Sequence, residues 1–129
     1  MQEKLKKGDN LEIIERIADL KRLSKDFYNY SPILEERLDG CIADYVVRPI
    51  DQNAVKKVAE ICWELNVPLT LRGSGTGNYG QAVPLFKGII MQMNYLNKLE
   101  EFYPETGFVK VQSGSVSYTH LTLPTICSV

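Results

Sequence analysis

A single histidine, His120, stands in 129 residues, so no second imidazole exists to share a metal or relay a proton. Cysteine is almost as sparse. Cys41, Cys62 and Cys127 are odd in number and none belongs to a CxxC pair, which excludes a disulfide framework and the usual zinc spacings. No apolar run approaches the ~18 residues of a membrane-crossing helix. The opening MQEKLKKGDN carries charges with no apolar stretch behind them, unlike a secretory signal; a cytoplasmic protein is expected. Neither sign of charge is in excess. The net charge of −1 excludes the basic footprint of most nucleic-acid-binding domains. What remains is 44 % hydrophobic and 24 % charged residues, an ordinary globular composition. The length allows one small domain at most, or a piece of a larger one.

The pattern predicts elements in order. GDNLEIIERIADLKRLSKDF reads as a helix, with Asp9 as cap, Glu12 placed to reach back to it, and Leu11, Ile14, Ile17 and Ala18 at helical spacing. YNYSPILEERLDGCIA, punctuated by Pro32 and Gly40, reads as a connector with a short helical turn. DYVVRP is a strand stopped by Pro49. Asp51 then caps QNAVKKVAEICWEL, whose Val55, Val58, Ala59, Cys62 and Leu65 mark one helical face. NVPLTLR is the next strand, so strand, helix and strand form a βαβ unit with parallel strands. GIIMQMNYL and FVKVQSG read as further strands, with PETG as a turn before the second.

Five of the nine glycines (Gly73, Gly75, Gly77, Gly80 and Gly88) fall in LTLRGSGTGNYGQAVPLFKG, residues 69–88. Glycine takes positive φ freely and leaves its N–H uncovered. Several such N–H groups around one concavity suit an anion, phosphate or pyrophosphate above all. A flexible linker is the plainer reading, but Arg72, Tyr79 and Gln81 are not linker composition, and the loop leaves the carboxyl end of a parallel strand, where open α/β sheets bind ligands. Two familiar motifs fail. Gly75-Thr-Gly77-Asn-Tyr-Gly80 spells GxGxxG, but Pro84 and Gly88 interrupt the helix that fingerprint requires. Gly75 and Gly80 have Walker A spacing, but Gln81-Ala82 replace the Lys and the Ser or Thr. Arg72 is read either as a phosphate partner or as a surface charge. Trp63 and Tyr79 can stack on a ring or simply pack, and Cys62 belongs to the core.

Residues 43–114 resemble the FAD-binding domain of the linked flavin oxidases, the PCMH-type fold of glycolate oxidase subunits, D-lactate dehydrogenases and alkylglycerone-phosphate synthases. The resemblance rests on four features in order: the VVRP strand end, the βαβ helix, the loop RGSGTGNYGQ and the strand VKVQSG. It implies an α+β fold in which residues 41–116 form the first, βαβ-containing subdomain, preceded by an N-terminal helical segment, 1–40. It also implies that Arg72, Gly73, Ser74, Gly75, Thr76, Gly77, Asn78, Gly80 and Gln81 wrap the FAD pyrophosphate. Val47 and Pro49 would lie near the adenosine end. Relatives that hold FAD covalently through this loop have His where Thr76 stands, so non-covalent FAD is implied. The implied activity is oxidation of a hydroxyl-bearing small molecule such as a 2-hydroxy acid.

Past Gly114 the resemblance ends. SVSYTHLTLPTICSV has no helical period and contains Pro124. Residues 117–129 read as a non-native tail, similar to translated adaptor read-through; a short terminal strand is the alternative. His120 and Cys127 lie in it and are given no chemical role. On this reading the chain is a fragment without activity of its own, with an open sheet edge and exposed apolar side chains. The alternative is a stand-alone nucleotide- or phosphate-binding module.

Overall fold

The structure, a computed structural model, describes residues 4–5 and 10–115. The expectations for Asp9, His120, Cys127 and the tail lie outside the described residues. Among the described residues the first element is strand β1 (Leu11–Ile14), then come helix α1 (Ile17–Leu23), a 3-10 turn (Tyr28–Tyr30) and helix α2 (Pro32–Leu38). Strand β2 (Tyr45–Pro49), helix α3 (Gln52–Glu64), strands β3 (Leu69–Arg72) and β4 (Ile89–Gln92), and a hairpin of β5 (Leu99–Tyr103) and β6 (Phe108–Val111) follow.

The first four strands form one sheet in the order β1-β2-β4-β3. β2 and β3 are both parallel to β4, and β1 runs antiparallel to β2. The expected parallel pair therefore exists, but β4 lies between its members. As the central strand, β4 is buried along its whole length, which its unbroken apolar run Ile89-Ile90-Met91 anticipates. Val46, Val47, Val58, Ile89 and Ile90 are 0 % exposed. Val47, Ile89 and Met91 pack with Val58, Ile61 and Cys62 of α3 on one face. Val46 and Ile90 pack with Leu20 and Leu23 of α1 on the other. Burying each such aliphatic side chain contributes about 1.5–3 kcal/mol.

Three expectations are corrected. The helix drawn across GDNLEIIERIADLKRLSKDF starts only at Ile17; Leu11–Ile14 is a strand paired with Val46–Pro49. Two β-branched residues in succession, Ile13 and Ile14, fit the two faces of a sheet edge, and tertiary pairing overrides the weak helical period. Glu12 accordingly serves no cap, and Ile17 and Ala18 stay exposed while Leu20 and Leu23 are buried. Second, the buried stripe of α3 is Ala54, Val58, Ile61 and Cys62, so Ala59 and Leu65 lie off it. Third, LEEFY is a strand, β5, pairing with β6 through the PETG turn, where Gly107 at φ 73° carries the reversal. Asp51 caps α3 as expected, its Oδ1 accepting from the Ala54 N–H at 2.8 Å. That bond, and then one from Asn10, hold its carboxyl below the usual range.

α1 is short and lacks a side-chain cap, so it stays helical through what it buries. Leu20→Ala, like Ile90→Ala in the same cluster, is expected to lower the unfolding free energy by about 2–5 kcal/mol in urea titration. An unchanged midpoint for Leu20→Ala would remove α1 from the core.

Candidate functional site: the loop after β3

The strand registers place four polar residues in one row. Glu12 pairs with Arg48, and Arg72 with Gln92. Val47 opposite Met91 sets Arg48 beside Gln92. Arg48 Nε donates to Gln92 Oε1 at 2.8 Å, its Nη1 donates to Glu12 Oε2 at 3.2 Å, and the Tyr95 hydroxyl donates to the same carboxylate at 2.7 Å. The row crosses the sheet at the carboxyl ends of its three parallel strands, on the face that carries Val46 and Ile90 one step earlier. Ends of parallel strands are where α/β sheets expose ligand sites.

Arg72 ends the row and opens the glycine loop. It is no surface charge: the residue is 7 % exposed. Its Nη1 donates to the Lys25 carbonyl at 2.7 Å, while its Nε is buried without a hydrogen-bond partner among the described residues. Burial pulls its pKa below the ordinary arginine value; the Asp26 charge opposes this and Arg22 adds to it.

The loop crosses over that guanidinium. Gly75 has φ 70°, and a Cβ there would overlap the Arg72 guanidinium. A Cβ on Gly77 would meet the Gln81 amide, and one on Gly80, at φ 78°, would meet Leu38 of α2. Gly75 and Gly80 are thus required from inside the protein by their left-handed backbone and close neighbours, whereas at Gly77 the exposed Gln81 side chain is what a Cβ would displace. Gly73 alone among the loop's candidates faces open space. The Gly77 carbonyl accepts from the Phe27 N–H at 2.9 Å, which ties the loop to the segment before the 3-10 turn. Gly88, at φ 77°, closes the loop; its N–H donates to Asp44 Oδ2 at 3.0 Å and its carbonyl accepts from the Asp44 N–H at 2.8 Å.

Among the described residues, no N–H from Gly73 to Asn78 donates to a backbone carbonyl. The Tyr79 N–H donates to Gln81 Oε1 at 3.1 Å. Gly73, Ser74, Thr76, Asn78 and Gln81 are exposed, and Gly75, Gly77 and Gly80 are half-buried. No helix starts between Arg72 and Gln81. A run of undonated amides above a buried cation matches an anion in both hydrogen bonding and charge, so the residues present fit a diphosphate. Pro49 is buried at the end of β2, two strands from the loop, or roughly 10 Å at ordinary strand spacing. Val47 turns the other way, into the core under α3, and offers no side chain to this side.

The family model described as "FAD binding domain" matches residues 43–119. The chain belongs to the FAD-binding domain family. Glycolate oxidase subunit GlcD of Escherichia coli (strain K12) is 35 % identical over 69 residues, 54 % of this chain and 14 % of that protein. Mitochondrial D-2-hydroxyglutarate dehydrogenase of Rattus norvegicus is 27 % identical over 77 residues, 60 % of this chain and 14 % of its own. The chain thus spans about a seventh of the length of these relatives. A solved alkyldihydroxyacetonephosphate synthase superposes with TM-score 0.68 at 16 % identity, covering 88 % of this chain and 23 % of that one, which shows the PCMH-type fold. Among the described residues no helix is long and apolar enough to cross a membrane.

Sequence reasoning missed the Glu12–Arg48–Gln92 row and the role of Lys25 to Phe27. The row had a signal: in VVRP and IIMQ the polar residue sits on the face opposite its apolar neighbour. The second had none, because residues 25–27 reach the loop only through tertiary folding.

Two outcomes follow from this geometry. Gly75→Ala is expected to cost about 1–2 kcal/mol for left-handed backbone alone, plus the displacement of Arg72. Adding Arg72→Ala should make the effect of Gly75→Ala smaller; strictly additive effects in urea titration would contradict the contact. The Glu12 carboxyl is held below 4.5, first by the Tyr95 hydroxyl and also by Arg48. Its stabilisation is complete above that unfolded value and lost as pH falls through the lower folded one. Tyr95→Phe should therefore flatten the fall in stability below pH 4.5, read as melting temperature against pH.

Proposed function

We propose that this chain is the FAD-binding part of a flavin-dependent oxidoreductase whose substrate is a hydroxyl-bearing small molecule such as a 2-hydroxy acid. The observation that carries the reading is the run of undonated amides at 73–78 over the buried Arg72, within the matched family region. On this reading Gly73, Ser74, Gly75, Thr76, Gly77, Asn78, Gly80 and Gln81 surround the pyrophosphate, and Pro49 borders the adenosine end. Arg72 contributes its charge from beneath, through the loop. Each hydrogen bond to a charged group contributes ~1.5–3 kcal/mol, so three or four supply much of the roughly 8 kcal/mol of a micromolar site. FAD held there would supply the two-electron acceptor that oxidation of a hydroxyl-bearing carbon requires. Thr76 offers no nucleophile like the histidine of covalent relatives, so FAD is held non-covalently. The substrate class is supported by the names of the relatives, which specify glycolate and D-2-hydroxyglutarate. Residues 41–116 are the flavin-binding unit in this proposal, and the groups that hold substrate belong to the remaining length of such enzymes.

Because the chain spans 14 % of its relatives' length, weak flavin binding is expected of it. The 129-residue chain is expected to quench FAD fluorescence only at high micromolar protein, and the double variant Gly75→Val/Gly77→Val to weaken this at least tenfold, about 1.4 kcal/mol. Equal affinity for FAD and for riboflavin, which has no diphosphate, would overturn the assignment. Tight binding of inorganic pyrophosphate with no added affinity for FAD would favour a phosphate-binding module instead.

A further inference from the structure

Beneath the loop lies a floor made by residues outside the matched family region, which begins at residue 43. The floor is fixed at both ends. Buried Ser24 accepts from the Ala43 N–H through its Oγ at 3.0 Å, and Tyr28 is buried. The three residues between them face the loop. The Lys25 carbonyl takes the Arg72 Nη1 donor, and the Phe27 N–H donates to the Gly77 carbonyl. Between these two contacts stands Asp26. Its Oδ1 accepts from the Tyr28 N–H at 2.9 Å. Its Oδ2 is shut off from solvent with no hydrogen-bond partner among the described residues, as is Arg72 Nε. That Oδ2 lies 3.6 Å from where a Cβ on Gly77 would stand.

A buried guanidinium needs an anion, because removing charge from water is unfavourable unless an opposite charge accompanies it. Asp19 of α1 pairs with Arg22 at 3.4 Å and Asp39 at the end of α2 with Lys25 at 3.5 Å, and neither is among the charges that act on Arg72. Asp26 is the group whose charge favours the protonated Arg72.

We propose that Asp26 is a positioning residue for the anion loop: its carboxylate is the counter-ion of Arg72, and the two together set the height at which Gly75 and Gly77 hold the 73–78 amides. The inference deepens the diphosphate reading and rests on it for its consequence, ligand affinity. The clamp itself exists without ligand. Asp26 fixes the loop by charge, so its effect is local, confined to the contacts of residues 25–27 and 72–77.

The ligand-free chain provides the test. Asp26→Asn keeps an oxygen for the Tyr28 N–H and removes the charge at nearly constant shape. Amide exchange at Phe27, the donor to Gly77, is expected to accelerate about tenfold, and the Arg72 Nε–H resonance to shift, while exchange at Val58 and Ile61 in α3 stays as in the parent. Asp26→Glu should restore most of the Phe27 protection. Inorganic pyrophosphate should bind Asp26→Asn several-fold more weakly than the parent. Unchanged Phe27 and Arg72 signals, or equal acceleration at Phe27 and in α3, would overturn the proposal. If Asp26→Asn does not fold, Asp26→Ser also removes the charge while leaving an oxygen for the Tyr28 N–H; it should likewise speed Phe27 exchange, and unaltered exchange would again overturn the proposal. A parent chain that ignores pyrophosphate while Asp26→Asn changes the ligand-free signals would sink the functional reading and leave the clamp standing.

Discussion

A guanidinium buried at the end of an edge strand has to be satisfied from within the protein, and the geometry of the loop after β3 follows from how Arg72 is satisfied. Its Nη1 reaches the Lys25 carbonyl, so the segment before the 3-10 turn must lie under the loop. Its flat head fills the space below Gly75, so that residue has no room for a side chain and takes a left-handed backbone. The strand below is held in turn by the Met93 N–H, which donates to the Arg72 carbonyl at 2.8 Å. Loop, N-terminal segment and sheet meet at this one side chain. A change there propagates to all three.

The sheet's polar row belongs to the same constraint. Arg48 and Arg72 flank Gln92 on one face, and two cations at that spacing need separate anions. Glu12 serves Arg48; it can do so only because β1 is a strand running beside β2. The electrostatics of the row therefore explain why Glu12 is worth more to this fold as a sheet residue than as a helix cap. Tyr95 closes the cluster, donating to Glu12 while its ring lies 6.0 Å from the Arg48 guanidinium carbon, within cation–π range.

Local signals and distant ones were unequally legible in the sequence. β2, α3, β3 and β4 could be read because each carries its own evidence: Pro49 as a stop, Asp51 as a cap, a helical stripe, an unbroken Ile-Ile-Met run. The loop was legible for the same reason, since five glycines after a strand need explaining wherever the chain goes. β1 was not, because LEII satisfies a helical period and a strand face equally, and only Val46 and Val47 decide between them. β5 escaped because its side chains are all exposed, which leaves no hydrophobic alternation to find. For the glycines, the sequence pointed to a need for close approach but not to its side: Arg72, Gln81 and Leu38 are what approach Gly75, Gly77 and Gly80.

On the proposed diphosphate reading, the manner of charge compensation separates this loop from helix-based phosphate loops. Dinucleotide folds and P-loops place the anion at a helix N-terminus, where aligned peptide dipoles supply about half a positive charge. Here the crossover from β3 to its parallel neighbour β4 contains no helix, so no helix dipole points at the turn. A loop of amides alone would meet a diphosphate with hydrogen bonds but little net charge. Arg72 supplies the missing cation from below, and being planar it does so while occupying only the space that Gly75 vacates. The same placement makes the cation costly when no anion is bound above it, which is the physical reason for the proposed counter-ion. In that proposal the buried Arg72, Asp26 and the bare 73–78 amides act as one unit, in which fixed charge replaces the helix dipole.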